Sequence, residues 1–190
     1  MKKNGYGLGS KIWFNIIIFG FIGQIAWAVE NMFFNTFLYN SVYNGASQSA
    51  VNGSIDVMSA ISIMVAASAS FTVLATFLMG TLSDKIGKRK PFISIGYILW
   101  GIVTAVFGVI SRDNTAKLFQ LTDEVKILTV TVAMVIVMDC IMSFIGSTGN
   151  DAAFNAWVTD VTNTKNRATV ESVLTILPLV ATAGVMGLAG

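Results

Sequence analysis

The sequence predicts an all-α membrane protein with five transmembrane helices, and three observations carry that prediction. Hydrophobic residues make up 54% of the chain, charged residues only 12%, and the mean hydropathy is +0.71; soluble domains carry roughly 25% charged residues. Five apolar runs are long enough for a hydrocarbon core about 30 Å thick, which takes about 20 residues of helix. The runs are continuous rather than alternating, which excludes barrel strands. They lie at about 12–39, 56–82, 91–111, 127–158 and 169–188, the fourth ending somewhere between Gly149 and Asp160. The chain has no His and one Cys, Cys140, inside an apolar run. That excludes a disulfide framework, a His-based metal site and a His-dependent triad, so no enzyme chemistry is expected. A net charge of +2 is too small to argue for a nucleic-acid partner.

The first span carries acid where lipid would reject it. A charged side chain at mid-membrane costs about 3 kcal/mol on insertion scales. Glu30 lies a few residues outward of the middle, and Gln24, Trp27, Asn31 and Asn35 follow helical spacing around it. The result is a polar stripe on one face, suited to a water-filled cavity. A cleaved signal peptide ending at Ala26-Trp27-Ala28 is the bland alternative. Asn15 and the Gly20, Gly23, Gln24 cluster argue against it, as does the apolar run beyond Ala28.

In the second span Asp56 stands at the outer end, where a carboxylate caps a helix. Ser59, Ser62 and Ser70, with Ala60, Ala66, Ala67 and Ala69, read as small-residue helix packing. A short loop from Gly80 to Pro91 then joins spans two and three, crowded with Lys85, Lys88, Arg89 and Lys90.

The fourth span repeats the pattern of the first. Asp139, Ser143, Gly146, Ser147, Asn150 and Asp151 recur at three- and four-residue steps and are expected to share a face, which Asn155 continues. Glu30, Asp139 and Asp151 read as parts of an ion or solute path. The competing account is a protonated acid hydrogen-bonded between helices. In the fifth span Glu171 reads as a cap at the helix start. Pro178 removes a backbone donor, and with Gly184, Gly187 and Gly190 suggests a bendable or closely packed helix.

Orientation follows from the cations. With the amino end in the cytoplasm, inside segments hold Lys2, Lys3, Lys11, Lys85, Lys88, Arg89, Lys90, Lys165 and Arg167, and outside segments hold Arg112, Lys117 and Lys126. Nine against three is a positive-inside bias.

Two stretches carry a family resemblance. Gly80, Leu82, Ser83, Asp84, Lys85, Gly87, Lys88 and Arg89 match the pattern Gly-x-Leu-Ala/Ser-Asp-Arg/Lys-x-Gly-Arg/Lys-Arg/Lys. This resembles the loop between helices two and three of the major facilitator superfamily. Orientation alone accounts for the cations, but not for Gly80, Asp84 and Gly87. The stretch from Asp151 through Phe154, Asn155 and Trp157 to Arg167 is similar to the end of helix four and the next loop in the glycoside–pentoside–hexuronide:cation symporters, the melibiose permease family. There are departures. Ile25 stands where that family has a helix-one acid after a Gly-Lys pair, and the paired helix-two aspartates have no counterpart.

The resemblance implies a cation- or proton-coupled sugar symporter of the plasma membrane, working by alternating access. The five spans would belong to the N-terminal six-helix half of a major facilitator fold, so the chain is expected to be the amino-terminal part of a longer transporter and to need the remainder. Glu30, Asp151 and Asp139, with Asn31, Gln24, Trp27 and Asn155, would meet the solute and the coupling H+ or Na+, the latter at Asp151. No other cofactor is implied. Gly80, Asp84, Gly87, Lys88, Arg89 and Arg167 would form a cytoplasmic gate, with Asp84 meeting either the start of helix three or the basic loop at Lys165 and Arg167. A non-transporting bundle (a pore or scaffold) and an exporter of another small solute remain as alternatives.

Overall fold

The computed structural model describes residues 7–189. Lys2, Lys3 and Gly190, used above, lie outside the described residues. Among the described residues there are eight α-helices and two π-helical stretches, with no strand. Five continuous helical rods are long and apolar enough to cross a membrane, so the chain is a multi-pass membrane protein.

The first rod is α1 (Ser10–Phe37), which runs on through a π-helical stretch, Leu38–Tyr43. The second is α3 (Val57–Ile86). Asp56 caps it, accepting hydrogen bonds from the amides of Met58 at 3.0 Å and Ser59 at 3.2 Å, as its place before the apolar run implied. The third is α4 (Arg89–Phe107). The fourth joins α6 (Glu124–Gly146), a π-helical stretch Ser147–Phe154, and α7 (Asn155–Val161). The fifth is α8 (Arg167–Ala189), which continues through Pro178. Two short helices occupy what the sequence reads as plain links: α2 (Gln48–Gly53) and α5 (Arg112–Phe119). Each is fastened to a neighbouring segment, α2 to the start of α6 and α5 to the link after the first rod. Ser47, the α2 cap, donates to Glu124, and Arg112 donates to the Asn44 carbonyl at 3.2 Å.

The loop read at 80–91 is corrected. Gly80 through Lys85 form the last turns of α3, and Arg89 already belongs to α4. Lysines and Arg are good helix formers, so charge alone does not end a helix. The break is made at Gly87, whose φ of 68° is the left-handed conformation of a helix C-cap; its amide reaches the Ser83 and Asp84 carbonyls.

Packing divides each inner helix into three zones. One apolar cluster gathers Phe34, Leu38, Met64, Trp100, Phe107, Leu128, Val132 and Met142. Phe34 and Phe107 stack there at 3.8 Å and 2°. A second gathers Ile16, Ile93, Ala153, Phe154, Val158 and Val170. Along α1, α4 and the fourth rod alike, the chain passes from one cluster to the other through polar residues. Outside, α3 exposes Val73, Leu74, Phe77 and Leu78 and α4 exposes Ile95, Ile98 and Ile102, the surface expected to face acyl chains.

Small residues pack less than the sequence suggests. Ala60 is fully buried, but Ala66, Ala69, Ser59, Ser62 and Ser70 are exposed, because α3 is covered mainly by α6 and leaves its other sides open. A Cβ on Gly184 or Gly187 would meet nothing among the described residues, so close packing is not what those glycines serve.

Candidate polar cavities within the helix bundle

Glu30 is the most tightly held acid of the polar zone. It is 4% exposed. Ser143 of α6 donates to its Oε1 at 2.7 Å, and the Trp100 indole of α4 donates to its Oε2 at 3.3 Å. One carboxylate thus ties three helices. Trp100 is itself braced edge-on by Trp27 at 5.1 Å.

Asp139, also 4% exposed, lies one turn before Ser143 on α6 and faces Ser68 of α3. Asp151 accepts from Asn150 at 2.9 Å, with Ser147 and Trp27 beside it. Glu30, Asp139 and Asp151 together line a cavity of about 320 Å³ between α1, α3 and the fourth rod. Trp27, Asn31, Phe34 and Asn35 complete its α1 wall, and Ser68 and Thr72 stand on α3. A second cavity, of about 210 Å³, opens between α1, α8 and the π-helical stretch. Gln24, Asn155 and Asp151 line it, together with Glu171 and Thr175. The structure therefore brings Glu30, Asp139, Asn31 and Trp27 together, places Gln24 and Asn155 apart from them, and sets Asp151 on the boundary of both spaces.

The expected single face of the fourth span is corrected. Gly146 turns toward α4, where an added Cβ would sit 2.8 Å from the Trp100 ring. Asn150 turns toward α1 and α4, accepting from Tyr97 at 3.0 Å. The π-helical stretch changes the residue period after Gly146, so positions three or four apart no longer stack. That stretch is pressed against α4 at a glycine pair: a Cβ on Gly96 would lie 2.8 Å from the Gly149 Cα. Gly23 of α1 is equally confined, with the Tyr97 hydroxyl 2.6 Å from where its Cβ would be.

At the α3–α4 end, Arg89 is the centre of a charge cluster. Its Nη1 pairs with Asp84 and donates to Ser83 Oγ at 2.7 Å, while its Nε donates to Asp160 at 3.1 Å. Asp84 meets the start of α4, one of the two partners expected for it. Arg167 instead binds the end of α7, through Thr162 Oγ1 at 3.2 Å and the Thr159 carbonyl at 3.0 Å. Lys88 is exposed before the first turn of α4. Gly80 lies in α3, where a Cβ would make ordinary contact with Ala152 at 3.9 Å.

Glu171 is corrected as well. It sits beyond the first turn of α8, exposed on the second cavity, so it caps nothing. Trp100, Tyr97, Ser68, Thr72 and Glu171 were not singled out as site residues. A polar tip on Tyr97 and Trp100, three residues apart on the otherwise apolar third span, is the available signal for two of them.

No protein-family model, curated protein or solved structure matches the chain.

Proposed function

We propose that the chain forms the membrane-spanning, cavity-bearing part of a secondary active transporter of the major facilitator type. It moves a small polar solute by alternating access, coupled to H+ or Na+, with the amino end in the cytoplasm of a plasma membrane. The observation that carries this reading is the polar zone: three carboxylates inside apolar spans, lining two cavities that share Asp151. Intramembrane acids of this kind mark ion and solute paths. The resemblance around Asp151 and Phe154 makes a sugar the solute class, and the remaining transporter half its partner.

The residues divide the work as follows. Asp151 stands between the two spaces, so a cation or proton there is within reach of both. Cation binding neutralises carboxylates and lowers the cost of closing apolar helices around them, which links ion movement to solute movement. Glu30 holds α1, α4 and α6 together through Trp100 and Ser143. Arg89 ties α3, α4 and α7 at the cytoplasmic end, and loosening it opens that end.

The test is uptake in proteoliposomes. Sugars from a broad panel should drive proton or Na+ entry, and Asp151→Asn should uncouple the two. No response to any sugar removes the sugar assignment in favour of an exporter of another solute. Absence of any solute-dependent ion movement leaves the pore or scaffold reading.

A further inference from the structure

The coupling cation assigned to Asp151 and the helix tie made by Glu30 leave Asp139, in the wall of the first cavity, without a role. Glu30, Asp139 and Asp151 line that cavity, and neither cavity has a lysine or arginine in its wall among the described residues. The donors that reach Glu30 are the neutral groups of Ser143 and Trp100, and those at Asp151 are Asn150, Ser147 and Trp27. Ser68 is the neutral donor beside Asp139, and its hydroxyl also reaches the Val65 carbonyl at 3.3 Å. Asp139 is thus the acid with most capacity left for a ligand.

One polar atom of the wall is also unpartnered: Asn35 Oδ1 is buried in the wall of the same cavity and lacks a donor. Buried polar atoms are almost always satisfied, so such atoms point to a missing partner. Trp27 and Phe34 supply aromatic surface in the same wall. Carboxylates with aromatic surface form the chemistry that holds ammonium groups, by charge and by attraction to the ring faces.

We propose that the cavity between α1, α3 and α6 binds a small organic cation through an ammonium group, with Asp139 as its counter-charge and Trp27 as its aromatic wall. This replaces the sugar by a cationic solute and keeps the rest of the transport reading, on which it rests. Anionic solutes are excluded by the same wall, and neutral sugars lose the charge term that Asp139 offers.

The experiment compares choline with its uncharged carbon isostere, dimethylbutanol, on the purified protein in lipid nanodiscs, read by quenching of tryptophan fluorescence. Choline should bind at least ten-fold more tightly than the isostere. Asp139→Asn should remove that preference, lowering choline affinity at least ten-fold while leaving the isostere unchanged and the unfolding temperature within a few degrees. Equal affinities for the two probes in the wild-type protein overturn the inference, as does an Asp139→Asn variant that keeps the preference or loses both ligands together. Proteoliposomes separate the two readings. Sugar-driven ion uptake that choline neither joins nor inhibits sinks the cation site and keeps the transporter. Choline binding without movement of any solute sinks the transporter and keeps the site.

Discussion

Alanine at Gly96 tests whether the fourth rod is held in its π-helical form by α4. The added Cβ would stand 2.8 Å from the Gly149 Cα and 3.1 Å from its backbone nitrogen. Both are main-chain atoms, so no side chain can swing aside and the two helices must separate. Overpacking of this kind costs about 1–3 kcal/mol. A chain of this size loses about 2–4 °C per kcal/mol, so Gly96→Ala should melt about 2–12 °C below wild type in detergent. Gly101 is the internal control. It lies on the same helix with nothing within 4 Å of its Cβ, and alanine there gains about 0.5–1 kcal/mol of helix propensity. The two alanines should therefore shift the melting temperature in opposite directions. Gly149→Ala meets the same contact from the other side, with its Cβ 3.3 Å from the Gly96 Cα. Combining it with Gly96→Ala should give a loss that is not the sum of the two, because one separation relieves both. A Gly96→Ala protein that melts with, or above, the Gly101→Ala protein would refute the close approach and the account of the π-helical stretch built on it.

Four further outcomes follow from other contacts of the structure. Glu30→Ala strands the Ser143 hydroxyl and the Trp100 indole, at about 1–3 kcal/mol for each donor left unpaired; thermal unfolding at wild-type temperature would show that they were never held. Asp56→Ala should lose about 1 kcal/mol through its cap while Asp56→Asn stays near wild type, and equal losses in both would mean the charge, not the cap, is what counts. Arg89 is 16% exposed, but Asp84 and Asp160 are 64% and 52% exposed. A double-mutant cycle of Arg89→Ala with Asp160→Asn should therefore give a coupling of at most about 1 kcal/mol. If the pair is a gate, Asp84→Asn with Asp160→Asn changes solute exchange several-fold at nearly unchanged stability, and unaltered exchange removes that role.

Span number and the cap at Asp56 were legible in the sequence because both depend on local chemistry. An apolar run of sufficient length is helical and buried in lipid whatever its neighbours do, and an Asp before such a run meets free amides in any context. The site was legible one helix at a time. Glu30, Trp27 and Asn31 share a stripe on α1, and they do line one cavity. What failed depends on other helices or on the period of the helix itself. Trp100 reaches Glu30 only because α4 crosses α1 at that height; its polar tip marks it within the third span, but its partner is not written there. The stripe on the fourth span was drawn with one α-helical period from Asp139 to Asn155. Asp139 and Ser143 obey it, while Gly146, the last residue of α6, already lies against Trp100. Beyond Gly146 the π-helical stretch turns Asn150 toward Tyr97 and carries Asn155 to the α8 side, while Asp151 stays in contact with both spaces. The widened winding is what makes one predicted stripe into two cavities. It also gives Asp151 a position that the fixed period does not contain: the wall between them, with one cavity on either side.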